Sequence, residues 1–267
     1  MNVTQQVGAK TLDGLAYLGS LGILAGRSAQ TILVAPFQDR RFRVQRAVHQ
    51  AMAVGVGAIP IASLISFLFG LIMALQTAHE LKKFGMIQLV ADAVVVATLR
   101  ELGPLITAIV VIGRSGSAFA AEIGTMKVTE EVDALRTMAL DPVGFLAAPK
   151  FLAMLVMVPA LTVWADLMGV LGGSLFGVLG ANFTFAGYMK HSLDAVVLQD
   201  VYTGLIKSAM FAMVITAVGC REGFGTGAGA EEVGRSTTSA VVTSIFLVVI
   251  VDLVFTALFY VTGGSAK

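Results

Sequence analysis

Apolar residues fill this chain in five long blocks, and short polar stretches carry nearly all of its charge. The blocks run roughly from Ala51 to Leu75, Leu89 to Ile112, Phe151 to Leu179, Val201 to Gly219 and Ala240 to Val261. A helix needs about 20 apolar residues to cross a bilayer, so each block predicts one crossing. The third is long for a single span and should tilt or project. The N-terminal stretch differs. Leu12, Leu15 and Tyr17 to Leu24 form a glycine-rich apolar run interrupted by Lys10 and Asp13. It predicts a helix lying along a membrane surface, with a sixth crossing as the alternative. After Pro36 comes FQDRRFRVQR, whose arginines and phenylalanines directly before an apolar helix form a headgroup anchor. The expected architecture is an all-α integral membrane protein, with an N-terminal interfacial helix and five transmembrane helices. We expect one domain over 1–267, divided into an interfacial helix and basic anchor (1–48) and a transmembrane core (49–262).

Composition supports this picture. The chain is 57% hydrophobic and 13% charged, with a mean hydropathy of +0.86. Soluble domains carry about 25% charged residues, so no soluble core of this size could hide the apolar surface. A net charge of +1 offers no general attraction for nucleic acid, and none is expected as a partner. Cys220 stands alone, which leaves no internal disulfide and no cysteine metal cluster. His49, His79 and His191 are scattered, and no catalytic or metal-ligating constellation is expected. The N-terminus has no basic start followed by a clean apolar core, so no cleavable signal is expected. With the N-terminus in the cytoplasm, twelve Lys and Arg fall inside and four outside, Lys82, Lys83, Lys190 and Lys267. That bias predicts a cytoplasmic N-terminus and an external C-terminus.

Some charges lie within the predicted spans. Arg100 and Glu101 occupy the second, just before Gly103 and Pro104, which should weaken the helix. An arginine at the centre of a membrane helix costs roughly 2.5 to 3.5 kcal/mol even on the lenient insertion scale. It is therefore expected to face a partner, a cavity or a substrate. Asp166, Lys207 and Asp252 lie in the third, fourth and fifth spans. The five charges either neutralise one another as structural pairs or line a wet path. Gly169, Gly173 and Gly177 share one face of the third span, either for packing within the subunit or for a subunit contact.

The long inside segment reads GRSGSAFAAEIGTMKVTEEVDALRTMALDPVGFLAAPK. Thr129 is the expected N-cap, with Glu130 and Glu131 in the first turn and Val128, Val132, Leu135 and Ala139 along one face. A short amphipathic helix between two spans can dock on a soluble partner and pass movement to both spans. The alternative is an inert helix on the headgroups. The second inside loop, CREGFGTGAGAEEVGRSTTSAVV, has no G-x-x-x-x-G-K-[ST] pattern, so the chain is expected to carry no nucleotide engine of its own.

Those two loops resemble the MlaE/YrbE permease family. The similarity is carried by LRELGPLITAIVVIGRSGSAFAAEIGTMKVTEEVDAL, the Asp141-Pro142 pair and GFGTGAGAEEVGRSTTSAVV. Where members of that family often read AEGVGR, this chain has Ala230-Glu231-Glu232-Val233-Gly234-Arg235. The resemblance implies a bacterial inner-membrane ABC permease that works as a homodimer on phospholipid and maintains outer-membrane lipid asymmetry. It implies a separate cytoplasmic ATPase that binds ATP and Mg, a periplasmic MCE-domain protein and a small STAS-domain subunit. The helix containing Thr129, Glu130, Glu131, Val132, Asp133 and Leu135 would then be the ATPase-coupling helix. Arg100, Glu101, Lys207 and Asp252 would lie near the lipid cavity, with Asp166 a further candidate for the path. Two other readings compete, an ion-coupled secondary transporter using Glu101, Asp166 and Asp252, and a membrane scaffold that transports nothing.

Overall fold

The computed structural model describes the backbone of residues 3–34, 40–181 and 183–263, and side chains within these except at 3–10, 13, 33–34, 40–44 and 262–263. Lys10, Asp13 and the anchor side chains Phe37, Arg40, Arg41, Phe42 and Arg43 lie outside what is described. Eight helices follow one another, with no strand among the described residues. They are α1 (Val3–Val34), α2 (40–83), α3 (Ile87–Val128), α4 (Glu131–Thr137), α5 (Val143–Gly180), α6 (Phe185–Ala195), α7 (Leu198–Gly225) and α8 (Ala230–Gly263). Five of these, α2, α3, α5, α7 and α8, are long and apolar enough to cross a membrane.

The spans outrun the expected blocks. The sequence pattern ends the second at Ile112, whereas α3 continues to Val128. Its 42 residues make about 63 Å of helix against a hydrocarbon layer of about 30 Å. The polar segment after Gly113 is therefore a helical extension, because polar residues break an apolar pattern without breaking a helix. Pro104 does not end α3 either. A π turn over Thr98–Leu102 precedes it and absorbs the hydrogen bond that proline cannot donate.

A core of α2, α3, α5 and α7 residues, including Val54, Ala58, Val111, Phe119, Met154, Val158, Phe211 and Ile215, holds the bundle together. Outside it, Leu64, Leu68, Ile72, Val156, Val163, Phe246 and Leu253 are exposed, as expected for surfaces that lipid covers. Backbones touch where α2 meets α5. A side-chain carbon on Gly70 would overlap the Gly169 carbonyl, and one on Gly172 the Phe67 carbonyl. The glycine face of α5 packs within the chain. Gly169 lies against Thr98, while Gly173 and Gly177 receive the buried ring of Tyr188 from α6.

Among the described residues, helix α1 touches one end of this bundle. Leu21 is buried with Ala120, Ile123, Ala147 and Phe151, and Thr31 lies against Gly144 at the start of α5. Tyr17 donates to Glu222 at 2.8 Å, with the Arg221 guanidinium 3.7 Å above its ring. All these partners sit at the end of the bundle that carries α4, so α1 lies across that end. Burial and the bond to Glu222 push the Tyr17 phenol up to about 12, so it remains a donor at neutral pH.

Candidate functional site

At the opposite end, α3, α7 and α8 enclose a cavity of about 310 Å³, lined by Arg100, Glu101, Gln199, Thr203, Lys207, Thr256, Phe259 and Tyr260. Its position follows from the π turn. A turn wider than the α-helix narrows the angle between adjacent side chains, so Arg100 and Glu101 both reach α7, two turns apart. Ordinary helical geometry predicts that neighbours cannot share a partner helix. The π turn overrides that expectation. Gly204 sits between the two contact points, where any side chain would overlap the Leu99 carbonyl, so its lack of a Cβ lets the helices meet.

Lys207 is 1% exposed and holds the site together. Its ammonium donates to Glu101 Oε2 at 2.6 Å and Thr256 Oγ1 at 2.7 Å, and pairs with Asp252 Oδ1 at 2.9 Å. The Thr256 hydroxyl closes the ring by donating to Glu101 Oε1 at 2.9 Å. Asp252 and Thr256 are one helical turn apart on α8 and present one face to Lys207. Acids and a hydroxyl take the place of the water that a lysine this deep has lost.

Arg100 pairs through Nε with Asp200, an acid the sequence pattern does not single out. Asp200 is buried in the first turn of α7, where its other oxygen also accepts the Val197 N–H at 3.2 Å. An aspartate three residues after a helix start, opposite a charge in another span, was the available signal. Arg100 itself is half exposed, with a side-chain exposure of 52%. Pairing with the first turn of α7 also sets Arg100 near the end of the bundle, not at mid-span. The cluster of Arg100, Lys207, Glu101, Asp200 and Asp252 carries two positive and three negative formal charges.

Asp166 is not part of this cavity. It lies on α5 with its carboxylate against Gly103, where a side-chain carbon would overlap it. Among the described residues no cluster of metal-ligating side chains occurs.

The short helix expected between the second and third spans forms as α4, with two differences. Thr129 does not cap α4. It terminates α3, its N–H bonding to the Thr125 carbonyl at 2.9 Å, and its hydroxyl lies 3.0 Å from Glu131. The turn is made by Glu130 in the left-handed region at φ 62°, and Ala139 at φ 57° makes the matching reversal beyond the helix. The second difference is the apolar face. Val132 and Leu135 are buried with Leu146 in the chain's own body, packed by Met126, Phe145 and Phe224. Ala139, expected on that face, is exposed. The outer surface presents Glu131, Asp133 paired with Arg136 at 2.8 Å, and the exposed Met138 and Leu140. The Asp141 carboxylate then accepts the Gly144 N–H at 2.9 Å and opens α5. Beside α4, polar contacts tie down the largely exposed glycine loop after α7. Lys127 donates to the Phe224 carbonyl at 2.7 Å, Thr226 bonds to Ser236 at 3.0 Å, and Glu232 meets Arg235 at 3.4 Å.

Residues 47–258 match the family described as Permease MlaE, and the chain belongs to that family. It is 34% identical over 260 residues to a probable ABC transporter permease protein of Rickettsia felis, covering 97% of this chain and 98% of that one. A probable ABC transporter permease protein of Synechocystis is 35% identical over 229 residues, 85% of this chain and 86% of the other. The chloroplastic protein TRIGALACTOSYLDIACYLGLYCEROL 1 of Arabidopsis thaliana is 32% identical over 247 residues, 92% of this chain and 69% of its own length. The chain is thus a multi-pass membrane permease subunit.

Proposed function

We propose that this permease moves phospholipid, with the cavity between α3, α7 and α8 as part of the lipid path. The observation that carries the reading is the pairing within one cavity of a half-exposed cation, Arg100, with the aromatic rings of Phe259 and Tyr260. Arg100 retains guanidinium donors beyond its Nε, which suits a phosphate, and the rings suit the start of an acyl chain. Glu101, Lys207 and Asp252 form an ion-paired wall beside it. The plant relative's name is that of a galactolipid, which supports a diacyl lipid as cargo without specifying its headgroup.

Such a cargo needs a sheltered route. Two acyl chains hold roughly 30 methylenes, and exposing each to water costs about 0.8 kcal/mol, on the order of 25 kcal/mol in all. A continuous apolar cavity removes most of that barrier. The work comes from a separate cytoplasmic ATPase, which binds ATP and Mg and docks on the outer surface of α4. The bundle end carrying α1 and α4 faces the cytoplasm, and α8 ends in the periplasm of a bacterial inner membrane. Two copies of the chain act together. A periplasmic MCE-domain protein exchanges lipid at the open end and a small STAS-domain subunit joins the ATPase, which together maintain outer-membrane lipid asymmetry.

The test is purification of the tagged permease in mild detergent, with mass spectrometry of partners and extracted lipid. A nucleotide-binding subunit and stoichiometric phospholipid are expected. A complex without an ATPase, whose transport follows an ion gradient, would be a secondary transporter. Glu101→Gln keeps shape and removes charge, and should lower phospholipid transport about tenfold while leaving assembly and basal ATP hydrolysis in place.

A further inference from the structure

Helix α6 connects α5 to α7 at the end of the bundle opposite α4, and its packing accounts for only part of its apolar surface. Thr184 opens it, its hydroxyl accepting the Gly187 N–H at 3.1 Å. At about 100° per residue the helix then presents three stripes. Tyr188 and Ser192 form the first. Both are buried against the start of α3 and the last turns of α5, where the Tyr188 ring packs with Ala91, Val95 and Val170. Lys190 and Asp194 form the second, about 160° round the helix from the first, and both are exposed. Phe185, Met189 and Leu193, at intervals of four, run between these two. Met189 is partly buried, whereas Phe185 and Leu193 are 55% and 70% exposed.

A helix that packs on protein by one face and meets water with the rest carries a single apolar stripe. The second apolar stripe of α6 therefore has another cover. At both ends it continues a surface that lipid covers. Leu179, in the last turn of α5, is 77% exposed, and Val197 and Leu198, where α7 begins, are exposed as well. No Lys, Arg, Asp or Glu lies between Asp166 and Lys190, so the apolar surface of α5 runs up to α6 without a charge. Lys190 borders the stripe, placed for its apolar stem to lie along lipid while the ammonium reaches phosphate. We infer that α6 is a membrane-surface helix, seated through Phe185, Met189 and Leu193 at the headgroup–acyl boundary of the leaflet at the end opposite α4. Lys190 and Asp194 offset each other in charge, so apolar burial rather than attraction to anionic lipid holds the helix there. The inference stands apart from the proposed cargo, because any bilayer supplies this cover. It also gives the Arg100 site a footing. The helix runs into Val197, whose N–H bonds to Asp200, the partner of Arg100.

The test places one spin label at a time on the full-length permease, using Phe185→Cys, Leu193→Cys, Lys190→Cys or Asp194→Cys, with the fully buried Cys220 removed as Cys220→Ala. All four labelled side chains are exposed, so the replacements leave the packing of Tyr188 intact. Each variant is reconstituted, with the subunits that copurify, in phosphatidylcholine bilayers. Power-saturation spectroscopy then compares collisions with oxygen, which enters the bilayer, and with a nickel chelate, which stays in water. The ratio of oxygen to nickel collisions is expected to be several-fold higher at positions 185 and 193 than at 190 and 194. Nickel collisions at 185 and 193 as frequent as at 190 and 194 would place the stripe in water and overturn the inference. Few collisions with either reagent at 185 and 193 would mean that protein, another subunit or a second copy of this chain, covers the stripe, and would overturn it equally.

Discussion

The Lys207 cluster and the Asp133–Arg136 pair, at opposite ends of the bundle, hold charge in opposite ways. Around Lys207, partners come from two other helices, with Glu101 and Thr256 lying 106 and 49 residues away in sequence, and the lysine is sealed from solvent. Around α4, Asp133 and Arg136 pair three residues apart on an exposed surface. The first arrangement fixes the relative positions of α3, α7 and α8. The second costs little to form or break, which suits the proposed docking of a partner there. The difference teaches where substitution is expensive. Removing one partner around Lys207 strands buried charge, whereas removing one partner of the Asp133–Arg136 pair alters only what the surface presents.

The largest effect should follow Lys207→Met, which leaves Glu101 and Asp252 facing each other without their cation. Breaking a buried pair costs about 3 to 5 kcal/mol, so thermal unfolding in detergent should shift far downward. Adding Glu101→Gln and Asp252→Asn should recover most of the loss. No recovery would mean that the lysine stem, rather than its charge, holds the helices.

Next comes a contrast within α4. Leu135→Asp places a charge in the chain's own core and should unseat the helix, lowering both stability and ATPase association. Met138→Asp changes only the exposed surface and should weaken ATPase association without moving the melting temperature. Equal stability losses would erase the inward and outward faces described here. A smaller effect is expected from Ala139→Gly, which relieves a left-handed residue at the cost of chain entropy. Its net change should stay within about 1 kcal/mol in the same melting assay. Smallest of all, Arg136→Ala should change stability by less than about 0.5 kcal/mol, because the pair it breaks is exposed on both sides.

Much of the fold is legible in the sequence because lipid imposes a simple rule on long apolar runs. The five spans and the surface helix α1 follow from it. The extent of α3 does not, because Arg114, Glu122 and Lys127 end an apolar block while the backbone stays helical. The site was partly legible. Glu101, Lys207 and Asp252 are conspicuous as charges within apolar blocks, and the structure joins them. Asp200 escaped because it sits where a polar connection meets a span, and acids are ordinary there. Asp166 was conspicuous for the same reason as Glu101, yet it packs elsewhere, since hydropathy says nothing about which way a side chain points. Thr129 looked like a cap because left-handed turns at residues such as Glu130 leave no trace in composition.

The central claim is that the cavity beside Arg100 receives phospholipid. It is tested most directly by placing a photocrosslinking amino acid at Phe259 in the intact complex within cells fed radiolabelled phosphate. The account predicts a labelled phospholipid on the permease, with the label strongly reduced when Arg100→Gln is added and assembly is unchanged. An assembled complex that acquires no phospholipid at position 259, or acquires it equally without Arg100, would contradict the account.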